Sequence, residues 1–213
     1  ANGSEWEHTS WSEYNYIICL LKIMAKTDDL KTAYGNGNMN GYVDDSVQHY
    51  GVLQAGTLDD KGQFFGYNAN NKQVKVFHTE APWGDQWERI IGLICDHGKA
   101  KISAYGPYNF TGEGYTEVYD YVEKNGITAA TGGWAKDSIS TELGRLPITW
   151  SGASNTYLTA YFYINPTIVA VAIVGGSAYS GSGCGFYVAL DASVSDAYWG
   201  IAPGLSCKMP LAA

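Results

Sequence analysis

Apolar residues first recur along the chain at helical spacing. Tyr14, Ile17, Ile18, Leu21 and Met24 or Ala25 fall on one face of a 3.6-residue period. Ser10-Trp11-Ser12-Glu13 precedes that face and has capping-box form, in which the hydroxyl and the carboxylate answer N–H groups that the first turn leaves open. A helix is therefore predicted from about Ser10 to Lys26-Thr27. A second short helix, from Asp28 to Tyr34, fits Thr27 as N-cap and Gly35 as its stop. Residues 35–41 read as a plain loop, without the glycine spacing and Lys of a phosphate-binding turn. Past Tyr50 the period shortens to that of strands. Residues 62–66 and 74–78 alternate around an Asn-rich turn, and residues 87–94 are strongly apolar. Residues 101–105 and 117–122 read as exposed hairpin strands joined through a Gly-rich segment, 106–114. From Thr149 onward come short strands with Gly-rich turns, and Val169–Val174 reads as core. The pattern describes one α+β domain over residues 1–213, with a helical part at 1–48 and strands after it.

Composition narrows the partners. The chain has 213 residues, 46% hydrophobic and 16% charged, which is enough for a true core and unlike a disordered segment. A net charge of −8 with only 13 Lys plus Arg argues against nucleic acid and against an anionic membrane surface. Seven Trp and 17 Tyr in a Gly-rich, acidic chain lean toward interfaces and toward sugar or protein binding. Cys19, Cys95, Cys184 and Cys207 lack metal-ligand spacing, so no metal is expected. They read mostly as free buried thiols, with a Cys184–Cys207 bridge left open. No signal-peptide pattern is visible, and the apolar run 17–21 is too short to span a membrane and meets Lys22 and Lys26. The chain starts at Ala1 and not at Met, which leaves a processed or a longer protein open.

From Leu146 to Cys207 there is no Lys, Arg, His, Glu, Gln or Met, types that form roughly a fifth of the preceding chain. Tyr, Ser, Gly, Ala, Asn and Thr take their place. Rigid Tyr with small polar residues is the palette of an adaptable recognition surface, and a poor one for catalysis. An uncharged, buried β core is the competing reading.

Three segments in order carry a resemblance. Trp83-Gly84-Asp85-Gln86-Trp87-Glu88, Val174-Gly175-Gly176-Ser177 and the closing 201–207 stretch resemble successive motifs of the C-type lectin fold of the formylglycine-generating-enzyme type. Within that fold, Gly175-Gly176-Ser177, Cys184-Gly185, Phe186-Tyr187 and Leu205-Ser206-Cys207-Lys208 resemble the variable proteins of diversity-generating retroelements in phages of gut bacteria. The resemblance covers most of the chain. It implies a C-type lectin fold and a variable, ligand-binding region at 146–208. It also accounts for part of the composition: adenine-templated codons yield Tyr, Ser, Gly, Ala, Asp and Thr but never Lys, Glu, Gln or Met. Ala202-Pro203-Gly204 departs from the family, which more often has Gly-Ala before a variable residue.

The candidate contact positions are Tyr157, Thr159, Tyr161, Tyr163, Ala178, Tyr179, Ser182, Asp191, Ala192, Asp196, Tyr198, Gly200 and Gly204. Tyr157, Tyr161 and Tyr163 share one parity, so in a strand they share one face. For each Tyr the competing reading is partial burial with the hydroxyl at the surface. Ala178, Ala192 and Gly200 can lie on a binding face and contribute no energy. The Trp83–Trp87 segment reads as structural, with Glu88 or Arg89 hydrogen-bonding inside the scaffold. The pairs Asp44-Asp45 and Asp59-Asp60 lack calcium-loop spacing and read as caps or turns. His8, His49, His78 and His97 lie in no nucleophile motif.

The expectation is a non-catalytic, diversified ligand-binding protein without cofactor or metal. By resemblance it is displayed on a phage virion, is able to form a homo-oligomer, and binds a protein or glycan on a bacterial surface. Two other classes stay open. One is a structural assembly protein that uses the Tyr-rich face for subunit contacts. The other is an oxidoreductase of the parent fold, disfavoured because Cys184 and Cys207 are not the closely spaced pair which that chemistry uses.

Overall fold

The computed structural model describes residues 6–39, 51–155, 160–185 and 188–207, with residue 6 and residues 205–207 in backbone only. Strand β1 (Trp6–His8) leads into helix α1 (Trp11–Ala25), whose N-terminus is the capping box predicted for it. Ser10 N–H donates to the Glu13 carboxylate at 2.7 Å, and Glu13 N–H to the Ser10 hydroxyl at 3.2 Å. Lys26 ends the helix in the left-handed region. Helix α2 is shorter than its predicted span, at Leu30–Tyr34. Its cap is Asp29, which accepts from Thr32 N–H at 3.2 Å and Thr32 Oγ1 at 2.7 Å, while Thr27 spends its hydroxyl on Asp29 N–H.

The 62–66 segment forms no strand among the described residues. Gly66 instead lies against the end of α2, where an added Cβ would sit 1.7 Å from Tyr34 O, and only Phe65 bridges to Lys75. Residues 74–78 supply just β2 (Lys75–Val76), because Phe77 and His78 take positive φ and turn the chain into β3 (Thr79–Glu80).

The remaining strands are β4 (Trp87–Asp96), β5 (Lys99–Ile102) and β6 (Thr116–Asp120). After helix α3 (Tyr121–Asn125) follow β7 (Thr131–Trp134), β8 (Asp137–Thr141) and β9 (Gly144–Thr149). The C-terminal part holds β10 (Tyr161–Ile164), β11 (Val169–Val174) and β12 (Val188–Ser193), then β13 (Ile201–Pro203) and β14 (Leu205–Cys207). Strand β7 and the β8–β9 hairpin fall in a stretch for which no element is predicted, and α3 takes over Tyr121 and Val122 from the predicted 117–122 strand, because Asp120 caps a helix there by accepting from Glu123 N–H at 2.9 Å. The expected hairpin of residues 101–105 and 117–122 is present as β5 and β6, shifted toward shorter strands.

One sheet has the order β6-β5-β4-β11-β12-β10-β7, with β13 alongside β4, while β8 pairs with β9 and β1 with β14 apart from it. The β10–β12 and β13–β4 pairs are parallel and the others antiparallel, so the sheet is mixed. A register shift between Val171 and Ile173 breaks both ladders of β11 and adds local twist, curling the sheet into a half-barrel. α1 lays Trp11, Tyr14 and Ile18 on one face, against Ile90, Leu93, Phe162, Ile164, Val174, Val188 and Leu190. The architecture is α+β: an N-terminal helical part, then mostly strands.

Candidate functional site

Strand parity divides the sheet into two surfaces. Phe162, Ile164, Val188 and Leu190 face the main core, so Tyr161, Tyr163, Ala189 and Asp191 face away from it. Ile173 and Trp87 pack on this second face with Ala189 and Ala192. Small residues make a floor here and aromatic rings stand around it. The result is a concave patch of about 460 Å³, lined by Trp87, Trp134, Tyr161, Tyr163, Ile173, Tyr179, Ser180, Ser182, Gly183, Ala189, Asp191 and Tyr198.

Local sequence explains how the rings are held. In the β10–β7 ladder Tyr163 stands opposite Gly132, and an added Cβ there would fall 2.4 Å from the Tyr163 ring. The glycine therefore lets the ring lie flat across the neighbouring strand. Tyr161 packs between Trp134, edge-on at 5.4 Å between centroids, and Tyr163, tilted at 5.0 Å. Gly200 serves Tyr198 in the same way, with its virtual Cβ 2.6 Å from that ring.

The loops that complete the rim are tied to the Trp83–Trp87 segment. Gly84 N–H donates to Gly175 O at 3.0 Å, Ala178 N–H to Asp85 O at 2.9 Å, and Trp87 N–H to Gly200 O at 2.7 Å. The Gln86 amide donates to Trp199 O. Gly175 and Gly176 take positive φ, and a Cβ on Gly176 would meet the Cys184 sulfur at 2.8 Å. Cys184 in turn donates to Ser177 O at 3.2 Å. Arg89 fastens the turn before Tyr198 by donating to the carbonyls of Ser193, Val194 and Asp196. Lys31 reaches from α2 to Ser182 O, with its ammonium 5.9 Å from the Trp134 ring centre.

Asp85 is the centre of this scaffold. Buried and at positive φ, it accepts from Asn38 Nδ2 at 2.6 Å, Leu53 N–H at 2.8 Å and Gln73 Nε2 at 3.1 Å. Trp83 is buried beside it and donates its indole N–H to Gly35 O at 3.1 Å.

Of the sequence-predicted positions, Tyr161, Tyr163, Tyr179, Ser182, Asp191 and Tyr198 come together at the patch. Asp196 is exposed but does not line it, because its carboxylate closes the turn by accepting from Ser193 N–H at 2.8 Å. Ala178 and Ala192 are buried at 0% and 5% exposure, and Gly200 and Gly204 are buried too. Tyr157 and Thr159 lie outside the described residues, as do Asp44 and Asp45. Asp60 pairs with Lys61 in a surface turn. Sequence reasoning passed over Trp87, Trp134, Ile173, Ser180, Gly183 and Ala189. The parity of Asp191 already implied Ala189, whereas Trp87 and Trp134 arrive from segments distant in sequence.

Electrostatically the patch is acidic and weakly solvated. Burial lifts the Asp191 carboxyl above the usual range, and the nearby Asp196 charge lifts it further. Tyr163 and Tyr198 are also raised, first by burial and then by neighbours that include Asp191. Cys184 and Cys95 are free thiols, each pushed up to about 12 by burial, and Cys19 is free and exposed. Among the described residues no group of His, Cys, Asp and Glu is placed to hold a metal ion, and no helix is long and apolar enough to cross a membrane. Comparison with models of protein families and with curated proteins finds no match for the chain.

Proposed function

We propose that the chain is a diversified ligand-binding protein with a C-type lectin fold of the formylglycine-generating-enzyme type. In this reading it is displayed on a phage particle and recognises a protein or glycan on a bacterial surface. The observation that carries the reading is convergence: Tyr161, Tyr163, Tyr179, Ser182, Asp191 and Tyr198, drawn from separate segments, line one concave patch. Their backbones are fixed by the scaffold around Asp85, so side chains can change while the frame persists. A preformed frame limits the ordering cost of binding. Non-catalytic action is supported by the buried thiol of Cys184, whose raised pKa is the opposite of what an attacking thiolate needs.

Two measurements test this. The encoding DNA is expected to carry a near-copy of its 3′ end beside a reverse transcriptase, differing almost only at adenines in codons of patch residues. Labelled protein is expected to bind cells of some gut bacteria and to lose that binding in the Tyr179→Ala, Tyr198→Ala double variant. A stable oligomer that buries the patch in sedimentation, with no cell binding, would instead establish the subunit-assembly reading.

A further inference from the structure

The aromatic patch has a charge pattern that selects among ligands. Asp191 is the only carboxylate or cation among the described residues lining it. Its carboxylate has no ion pair among the described residues, and its nearest charged neighbour is another acid, Asp196. Lys31 does not offset it: that ammonium is engaged with Ser182 O, and its electrostatic neighbours are Cys184 and Asp29. A carboxylate left in a half-buried aromatic basin is costly unless something answers it. Aromatic faces present negative quadrupoles, so rings grouped around such a carboxylate attract a cation and exclude an anion. The net charge of −8 adds a long-range field of the same sign.

Building on the binding role proposed above, we infer that this patch takes a cationic group, an ammonium or guanidinium, with Asp191 as its counter-charge and Tyr163 and Tyr198 as its aromatic walls. The cation enters from the open side of the basin, between the exposed Tyr179 and Tyr198 rings. Its charge meets Asp191 near the floor formed by Ala189, and its methylene or methyl surface packs on the rings. The same chemistry is offered by a free quaternary ammonium and by a basic side chain of a protein ligand.

Titration of the intact chain with tetramethylammonium, N-acetyl-lysine amide and N-acetyl-arginine amide, read by Trp fluorescence and by the indole N–H signals, tests the inference. Neutral controls are N-acetyl-norleucine amide and a methyl glycoside. The cationic probes are expected to bind and the neutral ones to bind at least about tenfold more weakly, the scale of a desolvated cation–π contact with its counter-charge. Asp191→Asn should lower cation affinity about tenfold, whereas Asp191→Glu should keep the preference for charge. Tighter binding of the amino-acid amides than of tetramethylammonium identifies a basic side chain as the source, and the reverse order a free quaternary ammonium. Equal binding of neutral and charged probes, or unchanged cation affinity in a folded Asp191→Asn variant, would overturn the inference and leave the patch a binding site of other specificity. Failure of the wider binding role shows separately, as absence of cell binding by the parent chain or as cell binding that survives the Tyr179→Ala, Tyr198→Ala double variant.

Discussion

The scaffold around Asp85 and the basin around Asp191 each set a carboxylate among Trp and Gly residues, yet they end in opposite states. Asp85 receives hydrogen bonds from Asn38, Leu53 and Gln73, and every neighbour is packed. Asp191 has only its own backbone N–H and no side-chain partner among the described residues, and it shares its basin with rings that reach solvent at 50% for Tyr198 and 70% for Tyr179. A carboxylate among aromatic rings therefore does not by itself separate framework from recognition here. What separates them is whether the polar atoms are answered from within the fold. An answered carboxylate locks three chain segments together, and an unanswered one is available to a ligand.

The sharpest way to break that contrast is Asp85→Ala. It strands the Asn38 and Gln73 amides and the Leu53 N–H in a buried site, so a loss of about 3 kcal/mol or more is expected in denaturant titration. The rim loops hang on the same segment, and ligand binding should fall with stability. A loss below about 1 kcal/mol would show that Asp85 is not the centre of the framework.

Glu88 offers a third carboxylate against which to sharpen the comparison. It follows Trp87 in β4 and so points to the other face of the strand, toward Tyr14, where burial pushes it up to about 7 from 4.5. Because its folded pKa lies above its unfolded one, the unfolded chain releases the proton first as pH rises. Stability should therefore fall from about pH 4.5 to about pH 7 and level off above, by on the order of 3 kcal/mol. Asp191, also raised, adds to the decline in the same sense. Glu88→Gln is expected to remove most of the slope and to be the more stable protein at pH 8. An unchanged slope in thermal melts across that range would rule out Glu88 as its source.

Gly132→Val tests the seating of a ring and not a charge. The new side chain would collide with Tyr163 and with Phe162 O, where even a Cβ falls within 2.5 Å. Overpacking of this kind costs about 1–3 kcal/mol, and the displaced Tyr163 ring should weaken ligand binding beyond that loss. Chemical denaturation and probe titration on the same sample separate the two effects. Binding that survives intact would mean Tyr163 is wall in position only.

Local chemistry made some of this structure legible in advance. α1 could be read because its capping box and apolar face act within a few residues, and the shared face of Tyr161 and Tyr163 because strand parity is exact. Strand β7 and the β8–β9 hairpin could not, since Gly132-Gly133 in β7 and Pro147 in β9 read against strands and the pairing of β7 with β10 is tertiary. Ala178 is a candidate contact position in the sequence, but its side chain is buried and its N–H is spent on Asp85 O, far away in sequence. Small residues carry no pattern of their own. Their burial depends on which distant segment closes over them, which is why Ala192, Gly200 and Gly204 lie behind the surface while Tyr179 and Tyr198 stand on it.

The smallest expected effect decides whether the basin is recognition surface at all. Tyr179 and Tyr198 give much of their area to solvent, so truncation removes little buried surface and opens no cavity. Tyr179→Ala and Tyr198→Ala should each shift stability by no more than about 0.5 kcal/mol, the range of surface substitutions away from caps and networks. Tyr198 is the more demanding case, because its ring covers Gly200 and contacts Trp199 at 6.3 Å. If both variants melt with the parent chain while binding falls, the rings serve a ligand. A loss of several kcal/mol at either position would place that ring in the framework with Trp83 and Asp85, and the boundary between the two regions would have to be drawn farther out.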